Sequence, residues 1–315
     1  MQAAKSVGFR LGFTYELVRE VIDNASRKHL IRPVAGTICE LAGETLIESN
    51  YLAEARELCD ALLRDHPEWI APLNRDAVER HQWQTHASLT EIVRGRAIGR
   101  AAPEDEIRAR LRDSRLHASL RHGELTNSVG DVLRRPPEQV LGVTREALAS
   151  RDHPFPAASS AESTVRPPIH LSSAELEGQF KLDLLREVVE AIDGPLDERD
   201  LRRLYADRLR CDAHSFTAWV LTEFRPTDLP TRRVAVAIAL AQTLDSYQPS
   251  NMGDREHASV LTRVGLFVTS DRGLARAMGH RRFKDWVPSS WRLLEKPNAP
   301  DAMARLIDLV AQYAG

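Results

Sequence analysis

Three cysteines in 315 residues, Cys39, Cys59 and Cys211, are too few and too widely spaced for a disulfide framework. No C-x-x-C pair is present, so free, buried thiols in a reducing compartment are expected. Long apolar runs are also lacking. The longest lies at Val234 to Leu240, far short of the roughly 20 residues that span a bilayer. Met1 is followed by one lysine and no apolar core of signal-peptide length, so a cytoplasmic protein that engages no membrane is expected. Charge of one sign is scarce as well. The 43 Lys and Arg stand against 45 Asp and Glu, a formal charge of −2. That balance excludes a global basic field and leaves nucleic-acid binding to local patches.

Several catalytic signatures are missing too. Neither G-x-x-x-x-G-K-[ST] nor G-x-G-x-x-G occurs, which argues against nucleotide-dependent chemistry. His81, His86, His117 and His122 show no H-E-x-x-H or other zinc spacing. Ser159 and Ser160 lack the context of a nucleophile elbow. What the chain does have is an ordinary soluble composition, 43% hydrophobic and 28% charged, with its arginines unevenly spread. One crowd runs from Arg94 to Arg121 and another comprises Arg281, Arg282 and Lys284.

The hydrophobic period assigns the architecture. Residues 15–30 read as a helix with Thr14 at its N-cap, Ile31 to Ala35 as a short strand, and a second helix starts near Thr37 and runs through Ile47. From Tyr51 to about Arg151 the pattern is helical. Residues 152–171 form a Pro/Ser-rich loop, and helices resume at 172–192, 197–210, about 213–224 and 230–247. Near the C-terminus the expected order is a helix at 254–263, a strand at 266–269, a helix at 272–278, a β-like 291–294 and a helix at 301–313. The layout predicts a helix-rich α/β fold. Residues 1–50 and 230–315 form a discontinuous α/β domain with a small parallel sheet, and 51–229 form a large all-helical insertion.

The stretch LFVTSDRGL at 266–274 ends an apolar strand in an aspartate. In a parallel α/β sheet, strand C-termini and helix N-termini share the edge where ligands collect. Asp271 ends a strand, Asp254 opens the helix before it, and Glu40 lies in the first turn of the helix after the Ile31–Ala35 strand. Each alone reads ordinarily as an N-cap or first-turn charge. Together on one edge they would repel one another unless a cation held them, and hard oxygen donors suit Mg²⁺ or Mn²⁺.

The segment NMGDREHASVLTRVGLFVTSDRGL, with its D-x-x-H-A spacing and apolar strand closing in T-x-D, resembles the C-terminal half of a PIN-like nuclease domain. IRPVAGTICEL at 31–41 is similar to that family's second strand and the helix bearing its acid. The resemblance covers roughly residues 14–48 and 230–296. It implies a small parallel sheet of PIN-like type and a Mg²⁺- or Mn²⁺-dependent ribonuclease, with RNA as the substrate. A homodimer and a protein partner or inhibitor are further implied partners. On this resemblance Glu40, Asp254 and Asp271 are the metal-binding and catalytic acids. Thr269 matches the hydroxyl beside the last acid. Arg272, Arg255 and His257 are expected to contact phosphate.

The chain departs from the family in one place. The family's first strand ends in an Asp, whereas Val7–Phe13 carries no acid and Glu16 comes only one turn into the helix. Two readings stay open: a first strand that lies upstream, or a catalytically degenerate PIN-like scaffold that binds RNA or a protein partner.

Overall fold

The computed structural model describes residues 47–48, 50–71, 135–149, 173–193, 209–245, 252–295 and 299–314. Glu40, Glu16, the strand expected at 31–35 and the arginine crowd between Arg94 and Arg121 lie outside the described residues. The chain divides into two compact units. One comprises Met1–Ala53, Asn74–His122 and Thr231–Gly315, the other Glu54–Leu73 and Gly123–Pro230.

The described residues of the second unit are helical. Helix α1 (Asn50–Asp65) enters it at Glu54, and α2 (Pro137–Ala149), α3 (Ser173–Asp193) and α4 (Ala213–Thr222) pack on one another. Their apolar faces recur at helical spacing, and Leu141, Val189 and Ala213 meet in one buried cluster with Ile192 against it. Aromatic rings fill the centre. Trp219 lies 5.0 Å from Phe224 and 5.6 Å from Phe216, and Phe180 stacks on Phe224 at 6.1 Å. Several buried polar groups of this interior find partners, whereas His66 Nε2 makes no hydrogen bond among the described residues. The hydroxyls of Thr144 and Thr217 donate to the carbonyls four residues back, and the buried Lys181 ammonium donates to Leu221 O and pairs with Glu177.

The boundaries depart furthest from the sequence expectation at Leu209 and Ile47. Leu209, expected inside a helix over 197–210, instead forms an antiparallel bridge with Ile70, where Arg210 N–H donates to Trp69 O at 2.7 Å. The turn at Pro67–Trp69 ends in extended backbone at Ile70, and this distant partner overrides the local helical pattern. Ile47, expected to be helical, lies outside any helix, and α1 begins at Asn50.

The first unit holds the sheet. Helix α5 (Pro230–Asp245) buries Val234, Val236, Ala237, Ile238, Leu240 and Ala241, so nearly its whole circumference faces protein. Helix α6 (Met252–Ser259) tightens into a 3₁₀ turn at Val260–Thr262, and β1 (Phe267–Thr269), α7 (Arg272–Met278) and β2 (Trp291–Leu293) follow. β1 and β2 pair in parallel, with Phe267 opposite Trp291 and Thr269 opposite Leu293. Parallel strands need a crossover, and the segment carrying α7 supplies it, packing on both strands. Gly279 closes α7 beside β2: a Cβ there would meet Ala275 O at 3.3 Å and the Trp291 ring at 3.5 Å. Helix α8 (Ala302–Ala314) ends the described chain, with Arg305 held by Asp301 at 2.6 Å. Among the described residues the fold is therefore helix-rich α/β with a two-stranded parallel sheet. No helix among them is long and apolar enough to cross a membrane.

Candidate active site

The parallel pairing defines one edge of the sheet, at the C-terminal ends of β1 and β2, and the ladder's last bond there runs from Leu294 N–H to Thr269 O at 2.8 Å. Just past that bond the chain leaves β1 through Ser270 and enters α7 with Asp271 as N-cap. Two local bonds shape this turn. The Asp271 N–H donates to Thr269 Oγ1 at 3.1 Å, and the Leu274 N–H donates to Asp271 Oδ1 at 2.9 Å. The first makes Thr269 a positioning hydroxyl for the turn, and the second satisfies one of the free amides that every helix start exposes. Gly273 lets the carboxylate fold over the helix end, since a Cβ there would stand 3.1 Å from Oδ1. Asp271 is exposed, and among the described residues its Oδ2 takes no hydrogen bond.

Asp254 sits in the first turn of α6, and α6 touches α7. Its Oδ2 accepts a 2.7 Å bond from the Nε2 of Gln242 on α5. Gln242 is only 5% exposed, so its amide has few alternative partners and orients the carboxylate. The sequence reading missed Gln242. The available signal was a single amide closing the apolar run of α5. Arg255 and His257 on α6 are both half-buried, and the Arg255 carbonyl accepts from Ser259 Oγ at 2.7 Å. Arg272, first residue of α7, is exposed.

Just past β2, the Glu295 carbonyl accepts from Arg305 Nη1 at 3.1 Å. Among the described residues no three His, Cys, Asp or Glu side chains gather in a metal-holding group, and Glu40 lies outside them. In kind, the donors fit a hard cation: an exposed carboxylate held by a cap at the end of β1, and a half-buried one on α6 held by a buried amide.

Trp286 carries the Arg233 guanidinium 5.2 Å from its ring centroid, and Arg233 also donates to Asp285 O at 2.7 Å. Burial holds the Arg233 guanidinium below the usual arginine range. Cys59 is buried, and burial pushes the half-buried Cys211 thiol up to about 11, so neither is a poised nucleophile.

No family model, curated protein or solved structure matches the chain.

Proposed function

We propose that the chain is a metal-dependent ribonuclease of PIN-like type, hydrolysing phosphodiester bonds at the C-terminal edge of the β1–β2 sheet. The observation that carries the reading is the state of Asp271. One oxygen is fixed by the α7 amide, which sets the carboxylate's orientation, while the other takes no bond among the described residues, and Asp271 follows β1 at the end where α/β sheets bind ligands. Asp271, Asp254 and Glu40 would hold Mg²⁺ or Mn²⁺. Such a cation supplies, when bound, positive charge for the phosphate oxygens and for an attacking water. Thr269 keeps the Asp271 turn closed, Gln242 aims Asp254, and the exposed Arg272 neutralises backbone phosphate beside the scissile bond. Arg255 and His257 stand on the same helix as Asp254 and would extend that contact.

The test compares the purified chain with Asp271→Ser, both with Mn²⁺ and single-stranded RNA. Serine retains an N-cap oxygen, so the variant keeps its fold and loses cleavage. Equal cleavage by both proteins removes Asp271 from the mechanism. A second reading, a non-catalytic PIN-like scaffold that binds RNA or a protein partner, draws on the bond from Gln242, which engages an oxygen of Asp254. Calorimetric titration separates the two: Mn²⁺ binding that weakens in Asp271→Ser supports the nuclease, and no heat of binding supports the scaffold.

A further inference from the structure

The cations of the α/β unit fall into two groups. Arg263 donates to Thr231 Oγ1 and Asn50 Oδ1, Arg233 to Asp285 O, Arg292 to Ser289 O, and Arg305 to Glu295 O and Asp301. Arg232, Arg255 and Arg282 are likewise engaged. Four exposed cations have no hydrogen bond or ion pair among the described residues: Arg272, Arg276, Arg281 and Lys284. All four lie between residues 272 and 284, along α7 and the turns that follow it. Such clustering would be unexpected if exposed cations were simply distributed for solubility, because every other described arginine of the unit is engaged with another group.

The fold holds these groups outward. Arg272 and Arg276 stand four residues apart on α7, hence on one face and about 6 Å apart along the axis. Beyond the C-cap Gly279, consecutive turns run through His280 to Val287, with Phe283 N–H donating to His280 O and Val287 N–H to Phe283 O. Phe283 is fully buried and Val287 nearly so. These two side chains anchor the segment, which leaves Arg281 and Lys284 in solvent. Arg272 directly follows Asp271, Arg276 stands one turn further along a helix roughly 10 Å long, and Arg281 and Lys284 follow in the turns beyond it.

We propose that Arg272, Arg276, Arg281 and Lys284 form a track for the phosphate backbone of single-stranded nucleic acid, leading to the carboxylate edge. Three of the four are arginines, whose planar fork matches phosphate oxygens. Unpaired cations near an acidic edge are what a polyanion cut at that edge requires, since the carboxylates alone would repel it. The track rests on the nuclease reading for its destination, but its own test is independent of cleavage.

That test measures anisotropy of a short fluorescein-labelled oligouridylate in EDTA, over a series of salt concentrations, for wild type and for Arg276→Gln/Arg281→Gln/Lys284→Gln. All three positions are exposed, so circular dichroism of the variant should match wild type. Each single-strand phosphate contact contributes about 0.7 to the slope of log K against log salt. The triple variant is therefore expected to bind more weakly and to lose about 2 from that slope. An unchanged affinity and slope overturn the track. So does displacement of the oligonucleotide by polyglutamate at equal charge concentration, which would assign the surface to an acidic protein partner. Metal-free binding through these residues without any cleavage would sink the nuclease reading and leave the track standing. Cleavage lost in Asp271→Ser with an unchanged slope in the triple variant would do the reverse.

Discussion

Arg64 in the helical unit and Arg276 in the α/β unit are both exposed arginines on helices, yet their surroundings are opposite. Arg64 spans two carboxylates, Asp65 at 2.7 Å and Asp228 at 3.0 Å, and Asp65 in turn accepts from the Trp219 indole at 3.2 Å. Those carboxylates raise the Arg64 guanidinium further above its ordinary range. Arg276 meets no acceptor among the described residues, nor do Arg272, Arg281 and Lys284 near it. The aspartates differ in parallel. Asp212 uses both oxygens on Ser215, at 2.8 and 3.1 Å, whereas Asp271 uses one on Leu274. In the helical unit these charges pair within the fold; Arg272, Arg276, Arg281 and Lys284 find no partner among the described residues.

The largest effect that tests this contrast lies in the aromatic centre of the helical unit. Trp219→Ala removes a fully buried ring and should cost about 3–5 kcal/mol, read as a lower urea midpoint by circular dichroism. Trp219→Phe should cost less, mainly the indole bond to Asp65 at about 1 kcal/mol. A Trp219→Ala protein as stable as wild type would show that this unit does not depend on its core.

Next comes Asp271, where cap and function separate. Asp271→Ala should lose about 1 kcal/mol of stability along with cleavage, while Asp271→Ser should lose cleavage alone. If both variants cleave RNA normally, Asp271 is only a cap and the contrast between the units collapses.

A third effect is pH-dependent. The Ser215 amide and hydroxyl hold Asp212 below the ordinary carboxylate range, and Arg64, followed by Trp219, does the same for Asp65. Depressed folded-state values contribute stability that is present above the unfolded value, near pH 4, and lost as pH falls through the folded value. Urea midpoints should therefore drop below about pH 4, and Asp212→Asn should flatten part of that drop. A variant with an unchanged acid limb would show that this cap does not stabilise the folded state electrostatically.

The smallest effect is at Arg64 itself. Its side chain is 53% exposed, so Arg64→Ala should cost no more than about 1 kcal/mol, and less in high salt. A larger loss would mean that the Asp65–Arg64–Asp228 network acts as a unit.

Much of the local structure around Asp271 was legible in the residues. An apolar run before Thr269 and an aspartate before a small-residue helix are short-range signals, and the helix at 272–278 follows them closely. The strand shortened only to Phe267–Thr269 and the second strand to Trp291–Leu293. Other features were not legible because their partners are distant. Nothing near Leu209 announces its bridge to Ile70. Nothing near Asp254 announces that Gln242, twelve residues earlier, would hold it.

The sequence by itself determined that a short strand runs into α7, which residues are apolar enough to be buried, and that Asp271 would cap α7, since each depends on neighbours within one or two turns. Tertiary structure alone decided that Thr269 stands opposite Leu293, that Gln242 orients Asp254, and that Phe283 anchors a turn on which Arg281 and Lys284 find no partner among the described residues. Those outcomes depend on which surfaces meet across long stretches of chain, and the free energy of that meeting is not encoded in any local period.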